Sequence, residues 1–276
     1  MSSPKILLVR LSYVSIMVSR SPSTTSQEPG SDKRPTCDQQ VGQTLRNPRL
    51  RPPVGVGRIY DPSVVNLDLV RAWLTICDSF HGDKCSKSWV NDTSSTERLP
   101  WIYAIDVNRQ CLAQIPHGER YVALSYVWGS SDQLRTMRSN LNLLSKPGGL
   151  SGLIGQVPRT IRDAIDLTGD LGFNYLWVDS LCIVQDDDDS KRSFIPHMHV
   201  IYGAAWLSII AQTAENASVG LQGYRVGTRN KLQAVKEILP GLSLGVAPHY
   251  GMIIHHSKHA ERGWTYETPA KVMQSS

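Results

Sequence analysis

The chain has few cysteines and no long apolar run. Its five cysteines (Cys37, Cys77, Cys85, Cys111 and Cys182) are odd in number and too sparse in 276 residues for the disulfide scaffold of a small secreted domain. A reducing compartment, the cytoplasm, is therefore expected. The one stretch that looks like a targeting segment, residues 5–18, is interrupted by Arg10 and is not followed by a small-residue cleavage site. It is also shorter than the roughly 20 residues needed to cross a bilayer, so no membrane span is expected. A leader outside the fold is the first reading of this stretch, and the lack of acids before Glu28 keeps a mitochondrial presequence open as the alternative. Acids are scarce throughout the first 60 positions, where nine Lys/Arg face only three Asp/Glu. The net charge of +5 thus resides in this arm and the remainder is close to neutral, which argues against a basic nucleic-acid-binding face. From Ser21 to Gly57 the chain is rich in Ser, Thr, Pro, Gly and Arg, with too little apolar surface to offset the entropy of ordering. Residues 1–60 are accordingly expected to be a disordered basic arm.

The apolar content of 41% is enough for one good-sized core, and its periodicity changes along the chain. A lead-in region, residues 61–118, opens with Val65, Leu69, Ala72, Trp73 and Ile76 at helical spacing. Two short strands follow, residues 101–107 and 111–115, joined by a turn at Asn108-Arg109-Gln110. Residues 121–127, YVALSYV, are continuously apolar or aromatic and predict a buried strand. A helix is expected across Gln133 to Leu144, and a stronger one begins at Pro158. There Ile161, Ala164, Ile165, Thr168 and Leu171 share one face, Arg159, Arg162, Asp163, Asp166 and Asp170 the other, and Gly172 is the stop. Residues 175–183, YLWVDSLCI, predict a second buried strand and residues 206–212, WLSIIAQ, a third. Between them, Asp186 to Asp189 suit a helix N-terminus, although Pro196 conflicts with a continuous helix to Ala205. Alternation of strand and helix with short connections implies an α/β fold, a parallel sheet flanked by helices. Beyond Gly223 the pattern weakens, with hints of order only at 232–239 and 242–246, and the histidines His249, His255, His256 and His259 read as surface residues.

Several strings, in order, are similar to one family. YVALSYVWG (Tyr121 to Gly129), VPRTIRDAIDL (Val157 to Leu167) and YLWVDSLCIVQDD (Tyr175 to Asp187) resemble the signature of the heterokaryon incompatibility (HET) domain of filamentous fungi. MHVIYGAAWLSIIA (Met198 to Ala211), GLQG (Gly220 to Gly223) and RGWTYE (Arg262 to Glu267) extend the resemblance. It implies a HET domain over residues 119–276, stopping short of the family's usual C-terminal extent. It also implies a role in detecting genetically different partners after hyphal fusion and triggering cell death, with other incompatibility or signalling proteins, or further copies of itself, as partners. Through that family the chain is similar to Toll/interleukin-1 receptor (TIR) domains, whose flavodoxin-like sheet agrees with the alternation above. Some TIR domains cleave NAD and others only assemble, so NAD is a possible substrate and no bound cofactor is expected. Two departures stand out. Phe194 occupies a position where the family keeps a Glu, with Pro196 in the same stretch, and Thr268-Pro269 diverges after the RGW string. A degenerate, inactive copy is therefore a third reading.

In an open parallel sheet the crevice beyond the strand ends is the usual ligand site. It would gather Ser125, Tyr126, Trp128 and Gly129 with Asp179, Cys182, Gln185 and Asp186. In N-glycosidic cleavage a carboxylate, Asp179 or Asp186, would stabilise the oxocarbenium ion while Tyr126 or Trp128 stacks on the base. The plainer account makes Asp179 a cap for neighbouring amides, the aromatics core residues and Cys182 a buried apolar thiol. Cys77, His81 and Cys85 have a spacing and donor types that suit zinc, but three ligands make an incomplete site and no metal is expected.

Overall fold

The computed structural model describes residues 8–11, 14–18, 63–80, 99–129, 133–212, 214–229, 235–239, 242–245 and His259. Its centre is the set of three apolar segments. Strand β5 (Val122–Ser125) lies between β6 (Tyr175–Trp177) and β7 (Leu207–Ala211) and runs parallel to both, with Val122 facing Leu176 on one side and Leu207 on the other. Each strand is almost wholly buried, which is why its sequence is a continuous apolar run rather than an alternating one.

The sheet as a whole is mixed. Strands β3 (Trp101–Asp106) and β4 (Cys111–Pro116) form the expected hairpin, and β3 pairs antiparallel with β6. A turn this short can only reverse the chain, so the hairpin adds an antiparallel flank. The Asp106 carboxylate holds the turn by accepting from the amides of Asn108 and Arg109 at 3.0 and 2.9 Å, and Gln110 adopts φ 51°. On the other flank, β1 (Leu8–Leu11) and β2 (Val14–Val18) pair with each other, and β2 pairs antiparallel with β7. Among the described residues the order is β1-β2-β7-β5-β6-β3-β4. Segments 8–11 and 14–18 thus add two strands on the β7 side of the sheet, and the rest of the disordered arm expected over 1–60 lies outside the described residues. Strands β8 (Val235–Leu239) and β9 (Leu242–Gly245) form a separate antiparallel pair.

The helices adjust the sequence reading in four places. Helix α1 (Leu67–Phe80) is capped by Asn66, whose side chain accepts from the Leu69 amide, and buries Val70, Leu74 and Cys77, so its inner face is rotated slightly from the expected one. Of the helix expected over 133–144, only α2 (Leu141–Leu144) forms. Residues 134–136 bond elsewhere: Leu134 to Gln156, Thr136 to Ser180, and Gln185 back to the Thr136 carbonyl at 2.7 Å. These tertiary bonds displace the local helical ones. A 3₁₀ segment (Ser151–Gln156) then leads into α3 (Arg159–Asp170), which begins after Pro158 and ends at Gly172 with φ +84°. The strand expected over 175–183 stops at Trp177, and Asp179–Cys182 form a single helical turn, α4. Last, Pro196 divides the expected helix in two, α5 (Asp188–Phe194), capped by Asp187, and α6 (Met198–Ala204).

Phe194 is buried and packs edge-on against Trp101 at 5.6 Å, so its side chain serves the core. Trp177 and Tyr202 make a second edge contact at 5.3 Å over the middle of the sheet.

Asp163 is not on the solvent face of α3 as its position in the polar stripe suggests. Its side chain is 1% exposed and accepts from Arg225 Nε at 2.6 Å and from the Leu221 amide at 3.0 Å. Gly220 (φ +90°) approaches so closely that a Cβ there would lie 2.6 Å from Asp163 Oδ2. Its amide donates to Thr160 Oγ1, and the Thr160 amide donates to the Ala217 carbonyl. The GLQG string is therefore the loop that docks the downstream segment on α3. No helix among the described residues is long and apolar enough to cross a membrane.

Candidate functional site

The C-terminal ends of β5 and β6 bring four of the expected site residues, Tyr126, Trp128, Asp179 and Gln185, into one polar network. Ser125, the last residue of β5, is buried, and Tyr126 follows it into the interior. The Tyr126 hydroxyl donates to Ser180 Oγ at 2.8 Å and also meets the Gln133 side chain. Burial, reinforced by the nearby Asp179 charge, pushes this phenol far above its ordinary range, so it stays protonated. Trp128 Nε1 donates to both oxygens of Asp179, at 3.0 and 2.9 Å, and the Ser180 amide donates to Asp179 Oδ1 at 2.8 Å.

Asp179 sits there because β6 ends one residue earlier and α4 begins. A carboxylate in the first turn of α4 can accept from an amide within that turn. Gln185 closes the far side, its side-chain amide donating to the carbonyls of Asp179 and Ile183 at 3.1 and 2.9 Å. Gly129, with φ +75°, lets the chain turn away after Trp128 where a Cβ would lie 2.5 Å from Asn216 Cβ.

Asp186 has different surroundings. It is exposed and accepts from the Arg138 amide at 2.8 Å, so the two carboxylates weighed as alternatives for one role occupy unlike environments. Cys182 is sealed inside α4, with its sulfur 3.3 Å from the Val178 amide that donates to it, and burial raises its thiol to about 12. A thiol so rarely ionised is no nucleophile at neutral pH. In the native protein at pH 8, iodoacetamide is expected to leave Cys182 unmodified over hours, read by peptide mapping. Modification at the rate of a denatured control would contradict the burial described here.

The structure adds residues that sequence reasoning missed. His259 is buried, not on the surface, and its Nε2 lies 2.7 Å from Ser125 Oγ, bridging 134 positions of sequence. The region around it has no periodicity, so nothing local marks it. Ser180 and Gln133 join the network through Tyr126, and the only sequence hint of either is proximity to a singled-out residue. Of the residues weighed for zinc, Cys77 is buried in α1, while His81 and Cys85 lie outside the described residues. Among the described residues no three His, Cys, Asp or Glu side chains group in a way that would hold a metal ion.

The family model described as "Heterokaryon incompatibility protein (HET)" matches residues 121–267, more than half of the chain. Among curated proteins and among solved structures, none matches it. Ser125, Tyr126, Trp128, Gln133, Asp179, Ser180, Gln185 and His259 all fall inside the matched span, and the chain belongs to the heterokaryon incompatibility protein family.

Proposed function

We propose that this chain is a recognition and signalling module of heterokaryon incompatibility, acting in the cytoplasm and triggering cell death when genetically different cells fuse. The observation that carries this reading is the closed bonding of the Asp179 carboxylate inside the family domain. Both of its oxygens are taken by the Trp128 indole and one also by the Ser180 amide. Side chains bound to one another at the strand ends hold Trp128 and Gln185, the partly exposed members, in a fixed arrangement, which suits recognition better than turnover. The spatial order β6-β5-β7 is that of the first three strands of a flavodoxin-like sheet, which supports kinship with TIR domains, and the buried cysteines Cys77, Cys111 and Cys182, none in a disulfide, fit a reducing compartment. Partners of the module would be other incompatibility or signalling proteins, or further copies of itself.

Inducible expression in a filamentous fungal host, scored for death at matched protein level, is the test. The wild-type chain is expected to kill, and Asp179→Ala to let most cells survive, because Trp128 and the turn at Ser180 lose their shared acceptor. Survival with both would instead favour a degenerate, inactive copy. Purified protein is expected to leave NAD intact even at high concentration. Turnover that disappears in Asp179→Ala would replace this reading by an NAD-cleaving hydrolase, with Asp179 stabilising the oxocarbenium ion and Trp128 or Tyr126 stacking on the base.

A further inference from the structure

The hydrogen bond between Ser125 Oγ and His259 Nε2 falls at a particular place in the sheet. β5 connects through α3 to β6 on one side, whereas β6 connects onward to β7 on the opposite side of β5. The seam between β5 and β7 is therefore the point where successive connections part, and open α/β sheets bind their ligands beyond the strand ends at such a point. Ser125 is the terminal residue of β5 on that seam, with Ile210 of β7 as its neighbour across the ladder. A hydroxyl is a weak nucleophile until a base accepts its proton, and 2.7 Å is within the range over which an imidazole does so. Both residues are buried, at 6% and 4% exposure, so the polarity of the pair is little screened by water. Asp179 and Trp128, the pair considered for NAD, bond to each other, and neither is needed for this chemistry.

We propose that Ser125 and His259 form a nucleophile and general-base pair for acyl transfer, with a carboxylic ester as the class of substrate. Ser125 Oγ attacks the acyl carbon while its proton passes to His259 Nε2. The bond from carbon to the leaving oxygen breaks, and the imidazolium returns that proton to the departing alcohol. Water then attacks the acyl carbon of the Ser125 ester as the same imidazole takes its proton; the bond from carbon to Ser125 Oγ breaks, the acid departs, and the imidazolium returns the proton to Ser125 Oγ. This activity is separate from the recognition role above and stands or falls independently of it.

A fluorophosphonate ester tests the pair on the full-length protein, since phosphorus takes the place of the acyl carbon and fluoride the place of the leaving alcohol. Intact-mass and peptide analysis are expected to find one adduct per chain, on Ser125. Ser125→Ala should abolish the adduct. His259→Gln, which retains a side-chain amide to bond Ser125 but is no base, should melt at close to the wild-type temperature while labelling at least about 100-fold more slowly. Hydrolysis of 4-nitrophenyl acetate should fall in the same order. Failure of the folded wild-type protein to label, an adduct that persists in Ser125→Ala, or wild-type labelling in His259→Gln would each overturn the proposal and leave the pair a structural clamp.

Discussion

Replacing Trp177 by Ala is expected to cost about 4 kcal/mol of stability, in the range found when a buried aromatic side chain is truncated to Ala. Trp177 is 1% exposed at the end of a strand of only three residues, and it makes an edge contact with Tyr202. Tyr202 in turn donates its hydroxyl to the Leu124 carbonyl in the central strand at 3.0 Å. Truncation removes the indole from the middle of this arrangement, and β6 is too short to shift its register and refill the space without unpairing from β5. Urea denaturation followed by circular dichroism should show a lower midpoint at an unchanged slope, with a Tm fall of roughly 10 °C. Trp177→Phe, which fills most of the space, should recover the larger part of the loss. An unfolding free energy for the Ala variant within about 1 kcal/mol of wild type would mean that the core is not organised around this ring.

Asp163→Ala is expected to cost about 3 kcal/mol, most of it from the buried amide of Leu221 left without its acceptor and from a lost charge-assisted bond. The Arg225 partner is half-exposed, so the ion pair itself is screened and its share of the loss is the smaller one. The comparison with Asp166→Ala separates the terms. Asp166 is exposed and meets the same Arg225 at 3.0 Å, and its removal should cost well under about 1 kcal/mol. Asp163→Asn, which still accepts from Leu221, should fall between the two. The same unfolding curves read all three variants, and limited proteolysis should cut the 214–229 segment earlier in Asp163→Ala. Equal losses for Asp163→Ala and Asp166→Ala would show that the GLQG loop does not depend on the buried carboxylate.

These two sites also mark the boundary of what sequence alone discloses. Trp177 lies in an unbroken apolar run, and such a run has few places to go but a doubly covered strand. The three parallel strands and α3, with Pro158 at one end and Gly172 at the other, were legible for that local reason. Asp163 was not. Its position in the polar stripe of α3 is that of a solvated residue, and only the arrival of Gly220, Leu221 and Arg225 from far along the chain makes burial favourable. His259 is the stronger case, since its partner Ser125 is 134 residues distant and no periodic element carries it there. Gln133 to Met137 failed as a helix for a related reason, because bonds to Gln156, Ser180 and Gln185 outcompete the bonds that neighbours in sequence would make. The cluster of Ser125, Tyr126, Trp128 and Asp179 was foreseeable from strand order. That Trp128 would occupy both oxygens of Asp179 depends on side-chain geometry that strand order leaves open.

Among the described residues, strand β5 is the fourth of seven in its sheet, with three strands on either flank. If copies of this protein polymerise by annealing along sheet margins, the incoming backbone must join β1 or β4. At roughly 4.8 Å per strand it would then lie about 19 Å from β5. The seam between β5 and β7 in each copy would thus stay clear of the backbone joining its margin, and clustering would raise the local number of these seams.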